Sequence, residues 1–371
     1  MRTSTLGPLG PVSRLTLGGG GIGQIWGETT AEEARATLAA AVDAGIDLLD
    51  AAPGYRNCET FIGETFDGRL PAGVRVTTKH GLATVPAGEA AGRLAASLEE
   101  SLKAMRLPHV DLFFLHSNIR PDAFTYAHGA DRQDQVATRF SQYEAEVVPA
   151  MEALKAAGKI GHWGITGIGQ PDGVLAALKL ETKPAVVQAI ANLMDSAGGL
   201  NRFGGPARPR EIIAAAKAAG AGVMGIRAVQ AGALTRAIDR TLSPNSPDTR
   251  DYDRAAPFRA LCETWGEDPA YIAHRYALGI EGVDTVVLGV KNRAELRQCL
   301  DAEAAGPLDA AQVAAIDALA GHSLADIHVA AQRLRQLSDS PEACQARQVS
   351  DAWCSAFVLP KVPGAVELTH K

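Results

Sequence analysis

Leu17-Gly-Gly-Gly-Gly-Ile-Gly-Gln-Ile-Trp-Gly-Glu-Thr-Thr30 is the stretch on which the choice of fold turns. Gly18, Gly20 and Gly23 match the Gly-x-Gly-x-x-Gly fingerprint of a βαβ unit, and Asp50 closes the next apolar run. That match favours a doubly wound sheet. In the fingerprint, however, the helix opens inside the glycine turn, so that its N-terminus faces a pyrophosphate. Here Gln24–Thr30, with Trp26 and Gly27, stands between the glycines and the first amphipathic helix. The doubly wound sheet is the weaker reading, and the rest of the chain decides.

Outward from this stretch, short apolar runs alternate with segments whose apolar residues recur three and four apart. Candidate strands are Arg14–Leu17, Leu48–Asp50, Arg75–Thr78, Leu112–Leu115, His162–Ile165, Val186–Ala189, Gly222–Gly225 and Thr285–Leu288. Candidate helices are Ala31–Ala44, Ala87–Met105, Tyr143–Ala157, Pro171–Leu180, Pro209–Ala219, Pro269–Leu278 and Ala310–Leu319. Thr30 precedes a first turn holding Glu32 and Glu33, the pattern of a capped helix start. Eight such alternations predict an α/β protein, a single (β/α)8 barrel over residues 1–320 with long mouth loops. Ser117–Ser141 and Arg236–Ala256 are too long for ordinary connections, and both follow strands, on the face where barrels carry their sites. Residues 321–371 form a C-terminal extension, with a helix expected over 324–337 and extended chain over Val358–Val366. Two placements stay open for it, against the barrel or against a neighbouring subunit in a homo-oligomer.

The 371 residues carry Lys+Arg 36 against Asp+Glu 42, a formal net charge of -6. An extended nucleic-acid surface needs a basic excess, so nucleic acid is not an expected partner. Cys58, Cys262, Cys299, Cys344 and Cys354 have no paired spacing and read as free thiols in a reducing compartment. No apolar run is long enough to span a bilayer, and Met-Arg-Thr-Ser-Thr-Leu-Gly-Pro at the start has no signal-peptide core. A cytoplasmic protein without a membrane partner is expected. No His/Cys/Asp grouping has metal-ligand spacing, and no metal is expected.

Four polar residues end or follow successive strands: Asp50, Tyr55, Lys79 and His116. In a barrel the ends of the second, third and fourth strands face one mouth, so these groups converge there. A free Tyr, with a pKa of about 10, is a poor proton donor at neutral pH. A Lys ammonium beside it favours tyrosinate and lowers that pKa, and a carboxylate keeps the Lys charged. A neutral His donates a hydrogen bond to a carbonyl oxygen. Together the four make a site for carbonyl reduction or alcohol oxidation. Trp26 is a candidate substrate wall, and Tyr126 and His128 in the long loop are candidate lid residues.

On these residues the chain resembles the aldo-keto reductase superfamily, from about Leu15 to Leu319. Ala44-Gly-Ile-Asp-Leu-Leu-Asp-Ala-Ala-Pro-Gly-Tyr55, followed by Glu59 and Gly63-Glu, is similar to the family's first signature. Thr77-Thr-Lys-His-Gly resembles its lysine strand, and Asp111-Leu-Phe-Phe-Leu-His its histidine strand. The resemblance implies that Asp50, Tyr55, Lys79 and His116 are the catalytic tetrad, with Tyr55 as general acid. It also implies an NAD(P)-dependent oxidoreductase acting on a small carbonyl or alcohol, with the cofactor at the barrel mouth.

The implied cofactor contacts run from Gly20 and Asp50 through Thr166, Gln188, Arg227 and Val229 to Gly289, Lys291, Glu295 and Gln298. Gln188 matches the family's carboxamide-holding glutamine. Thr166-Gly167 replaces the usual Ser-Asn, so one amide contact is missing. Ile226 stands where a stacking Tyr is usual, and Arg227 beside it is placed for the pyrophosphate. Val287-Leu-Gly-Val-Lys-Asn-Arg-Ala-Glu-Leu-Arg-Gln-Cys resembles the last signature, which grips the adenosine half. Lys291 is a candidate for a 2′-phosphate, whereas Glu295 repels one and suits a free ribose. NADP(H) is slightly favoured and NAD(H) stays open. Two other functions compete: a cofactor-sensing regulatory subunit with the same fold, and a barrel aldolase with Lys79 as Schiff-base nucleophile.

Overall fold

A computed structural model describes residues 1–127 and 129–319. Eight parallel strands close into a barrel in chain order. They are β1 (Leu15–Gly18), β2 (Leu48–Asp50), β3 (Arg75–His80), β4 (Val110–Leu115), β5 (Ile160–Thr166), β6 (Val186–Ile190), β7 (Gly222–Ile226) and β8 (Thr285–Leu288). β8 pairs with β1 through Val286–Leu15, Val287–Thr16 and Leu288–Leu17 to close the ring. The helices around it are α1 (Ala31–Asp43), α2 (Cys58–Thr65), α3 (Ala90–Met105), α4 (Val148–Ala156), α5 (Pro171–Ala177), α6 (Pro209–Ala218), α7 (Pro269–Gly279) and α8 (Arg293–Ala305). The doubly wound alternative is thereby excluded.

Local chemistry accounts for the helix boundaries. The Thr30 hydroxyl accepts from Glu33 N at 3.0 Å, capping α1, and Glu32 and Glu33 face the positive end of the helix. Gly45, at φ 89°, ends it in the left-handed region. The glycine run is built for contact. A Cβ on Gly18 would lie 2.2 Å from Leu288 O, one on Gly21 2.0 Å from Val290 O, and one on Gly23 2.0 Å from Tyr55 O. Its residues Gly19–Ile22 form a single helical turn, which the sequence did not reveal, while the amphipathic helix waits until Ala31.

Three further differences have physical causes. α2 is an added helix, too short for its periodicity to stand out, and it follows directly on the turn Pro53–Tyr55. Arg236–Ala256, expected as loop, contains the helix Pro247–Arg254, capped by Ser246 accepting from Thr249 N; a second helix, Ala256–Thr264, follows. Ser117–Ser141 holds a small parallel sheet, Asn118–Arg120 with Ala137–Arg139, fastened where Arg120 donates to three backbone carbonyls and pairs with Asp134.

The N-terminal hairpin, Thr3–Thr5 with Pro11–Ser13, closes the lower end of the barrel. Leu6 and Val12 pack with Leu48, Leu112, Phe114, Val186 and Met224, all buried. One compact unit spans Met1–Val313. The expected features at 324–337 and Val358–Val366, and His128, lie outside the described residues.

Candidate active site

Strand polarity places the chemistry. Asp50 ends β2, Lys79 lies one residue before the end of β3, and His116 directly follows β4. Tyr55 is the last residue of the turn Pro53–Tyr55, and α2 behind it is tied to β3 where the Thr78 hydroxyl donates to the Glu59 carboxylate.

Asp50 is the hub. Its Oδ2 accepts from Lys79 Nζ at 2.7 Å. Its Oδ1 accepts from Thr77 Oγ1 and from Gln188 Nε2, both at 2.7 Å. Lys79 Nζ also donates to Ala51 O at 2.8 Å and lies 4.5 Å from the centre of the Tyr55 ring. The pair is removed from solvent, with side-chain exposures of 0% and 2%. The Tyr55 and His116 rings meet edge to face, their centres 5.9 Å apart.

Burial and charge set the protonation states. Burial pulls the Lys79 pKa down, but Asp50 and Tyr55 outweigh it, and the ammonium is held above its ordinary value. Burial raises the Tyr55 pKa and the Lys79 charge opposes it, leaving the sum above ordinary. Lys79 lowers the Tyr55 pKa as expected, but burial, which the sequence did not show, is the larger effect. His116 is pushed down to about 4, by burial first and the Lys79 charge second, so its imidazole is neutral at physiological pH.

Tyr55, His116 and Asp50 open on a cavity of about 490 Å³. Trp26 and Gly20 line it, as do Thr166 at the end of β5 and Gln188 in the middle of β6. Arg227 and Val229 line it after β7, and Gly289, Lys291, Glu295 and Gln298 after β8. Every residue singled out for the cofactor thus faces one space. Lys79 stands behind it, reaching the site through Asp50 and Tyr55.

Several partners were not foreseen. Arg227, placed for a pyrophosphate, bonds Asp248 at 2.8 Å and Gln230 Oε1 at 3.0 Å. Lys291 is bonded to Asp239 and lies 2.8 Å from Glu295 Oε1. Trp26 carries the Arg240 guanidinium 5.3 Å from its ring centre. Tyr126 does not line the cavity: it is buried with Ala137 and Phe203 in a small core of the long loop.

The cavity also holds a pair that sequence reasoning missed, Cys299 on α8 and His274 on α7. His274 Nδ1 lies 2.7 Å from Ala270 O, which makes it the N–H donor and leaves Nε2 to accept from the Cys299 thiol at 3.5 Å. Cys58 is packing, its thiol raised by burial and set against Gly19. Among the described residues no group of three or more His, Cys, Asp or Glu is placed to hold a metal ion, and no helix is long and apolar enough to cross a membrane.

Comparison with known proteins agrees with this geometry. Residues 14–320 match the model of the aldo/keto reductase family. L-galactose dehydrogenase of Arabidopsis thaliana is 24% identical over 291 residues, 77% of this chain and 83% of that protein. Among solved structures, aldo-keto reductase AKR11C1 from Bacillus halodurans, in its holo form, aligns with a TM-score of 0.64 at 23% identity, covering 86% of this chain and 96% of its own. Glycerol dehydrogenase AKR11B4 from Gluconobacter oxydans aligns at 0.62 and 22% identity, covering 85% and 94%. With the barrel, the converging side chains and a family match over most of its length, this chain belongs to the aldo/keto reductase family of oxidoreductases.

Proposed function

We propose that this chain is a nicotinamide-dependent dehydrogenase that interconverts the carbonyl and alcohol forms of a small, sugar-like substrate, with Tyr55 moving the proton. One observation carries this reading: Tyr55 and His116 face a shared cavity in front of a buried Asp50–Lys79 ion pair. The similarity to L-galactose dehydrogenase supports the polyhydroxylated substrate class.

The cavity fits the cofactor. Thr166 Oγ1 is buried at its wall with no hydrogen-bond partner among the described residues, an unmet polar group of the kind a ligand amide satisfies. Thr166 and Gln188 would hold the carboxamide, and Ile226 would cover the ring by dispersion. When bound, the nicotinamide supplies a hydride to the carbonyl carbon or takes one from the alcohol carbon.

The chain's own groups handle the oxygen. In reduction Tyr55 Oη gives its proton to the developing alkoxide, and the Lys79 ammonium beside the ring stabilises the tyrosinate left behind. Asp50 holds that ammonium charged and in place. Neutral His116 donates a hydrogen bond to the same substrate oxygen, which selects the face presented. Schiff-base chemistry at Lys79 is disfavoured, since its amine is buried, protonated and engaged by Asp50 and Ala51.

The test is turnover of an aldose and polyol panel with NAD⁺ and NADP⁺, by wild type and by Tyr55→Phe. Turnover by wild type that collapses in the variant supports the reading. Cofactor binding without turnover on any substrate class would favour a regulatory subunit instead.

A further inference from the structure

The turn from β8 into α8 should offer a nucleotide its anion site, because backbone N–H groups and two basic residues point outward there. In this chain carboxylates already hold those donors. Lys291 Nζ is bonded to Asp239 and lies 2.8 Å from Glu295 Oε1. Lys291 N donates to Glu295 Oε2 at 2.9 Å. Arg293 gives its backbone N–H to Glu33 at 2.9 Å and its guanidinium to both Glu33 oxygens. Two cations thus face three carboxylates, a local balance of one negative charge.

Glu295 is not free to swing away. Its backbone N–H bonds the Asn292 side chain at 2.9 Å, and its carboxylate accepts from Asn292 Nδ2 at 3.2 Å as well as from Lys291 N. Asn292 Oδ1 caps α8, and the carboxylate closes the same turn from the other side, so displacing it would break two hydrogen bonds. The other cations near this wall are also occupied. Arg236 pairs with Asp268 at 3.3 Å, and Arg240 donates to Ala231 O at 2.7 Å while lying over Trp26.

We propose that Glu295, with Asp239 across the cavity wall, makes this chain selective for NAD(H) over NADP(H). The proposal rests on the nicotinamide reading of the site and reverses the slight preference for NADP(H) drawn from the sequence. A 2′-phosphate brings close to two negative charges at neutral pH. It would have to pull Lys291 from two carboxylates, one of which, Glu295, is tied down by Asn292 and by Lys291 N. A free 2′-hydroxyl instead donates to a carboxylate in a charge-assisted hydrogen bond.

Calorimetric titration with NADH and with NADPH tests this without any turnover. Wild type is expected to bind NADH at least tenfold more tightly. Asp239→Asn and Glu295→Gln should each narrow that ratio by tightening NADPH. Asp239 lies outside the cap, so its variant tests the idea even if Glu295→Gln unfolds α8. Equal or tighter NADPH binding by wild type overturns the proposal and leaves the nicotinamide reading standing. A preference for NADH that neither variant alters overturns the assignment to these carboxylates. Binding of neither dinucleotide overturns the nicotinamide reading, and this proposal with it.

Discussion

Asp50 and Lys79 meet at 2.7 Å with neither side chain exposed, and the carboxylate also takes hydrogen bonds from Thr77 and Gln188. A buried pair gains little over an apolar replacement, but removing one partner strands the other charge, at a cost of about 3–5 kcal/mol. Asp50→Asn should therefore lower stability by that order in denaturant unfolding. The double variant Asp50→Asn with Lys79→Met should recover part of the loss. Additive losses would mean that the two charges do not depend on each other.

Tyr55→Phe removes a hydroxyl and leaves the ring packed against His116. General acid catalysis contributes roughly 10²–10⁴-fold, and single-turnover reduction at saturating cofactor should fall by that factor. Retention of more than about a tenth of the rate, below the low end of that range, would pass the proton donor's role to His116 or water.

The alkaline limb should depend on Lys79. Burial raises the Tyr55 pKa and only the ammonium draws it down. Lys79→Met should move the limb to still higher pH, in both reaction directions. With Tyr55 as the proposed base of the oxidative direction, its proton must leave first, and the wild-type rate should climb with pH. An unmoved limb in Lys79→Met would mean that another group titrates there.

His116, with a pKa of about 4, binds its proton less readily folded than unfolded, where about 6.5 is usual. Between these values the unfolded chain holds more protons, so stability rises with pH across that window. His116 therefore contributes fully above about 6.5, and its contribution is lost as pH falls toward 4. His116→Gln should flatten this part of the stability profile, and NMR titration of the imidazole should find it uncharged at pH 6. A ring that titrates near 6.5 would contradict the burial argument.

Leu6 lies far from the chemistry, fully buried where the N-terminal hairpin meets the barrel floor. Leu6→Ala should cost about 2–5 kcal/mol, as cavity-forming substitutions do, and leave KM and kcat unchanged below the melting transition. Altered KM at constant stability would show that the floor is coupled to the mouth.

The barrel was legible because its strands are short apolar runs with helices between, and because strand ends share a face. Asp50, Lys79 and His116 could be placed at the mouth on that rule alone. Asp239 could not: its approach to Lys291 depends on the path of a connection, the two lying 52 positions apart. The Cys299–His274 pair joins two helices across 25 positions, and neither residue breaks its own helical pattern. Tyr126 misled because an aromatic in a polar loop reads as exposed, whereas this loop has a small core of its own. Net protonation of Tyr55 was equally hidden, since the type of a neighbouring residue says nothing of how dry the space between them is.

Gly23 has no side chain because the Tyr55 carbonyl occupies the place where a Cβ would be. The segment that imitates a nucleotide fingerprint therefore acts as a gauge block for the turn that carries Tyr55. Its thickness sets how far the turn carrying Tyr55 stands from β1, and one methyl group on Gly23 would press on the Tyr55 carbonyl and push that turn outward. Sequence drift in this run would then be read as lost chemistry, although no atom of it exchanges a proton.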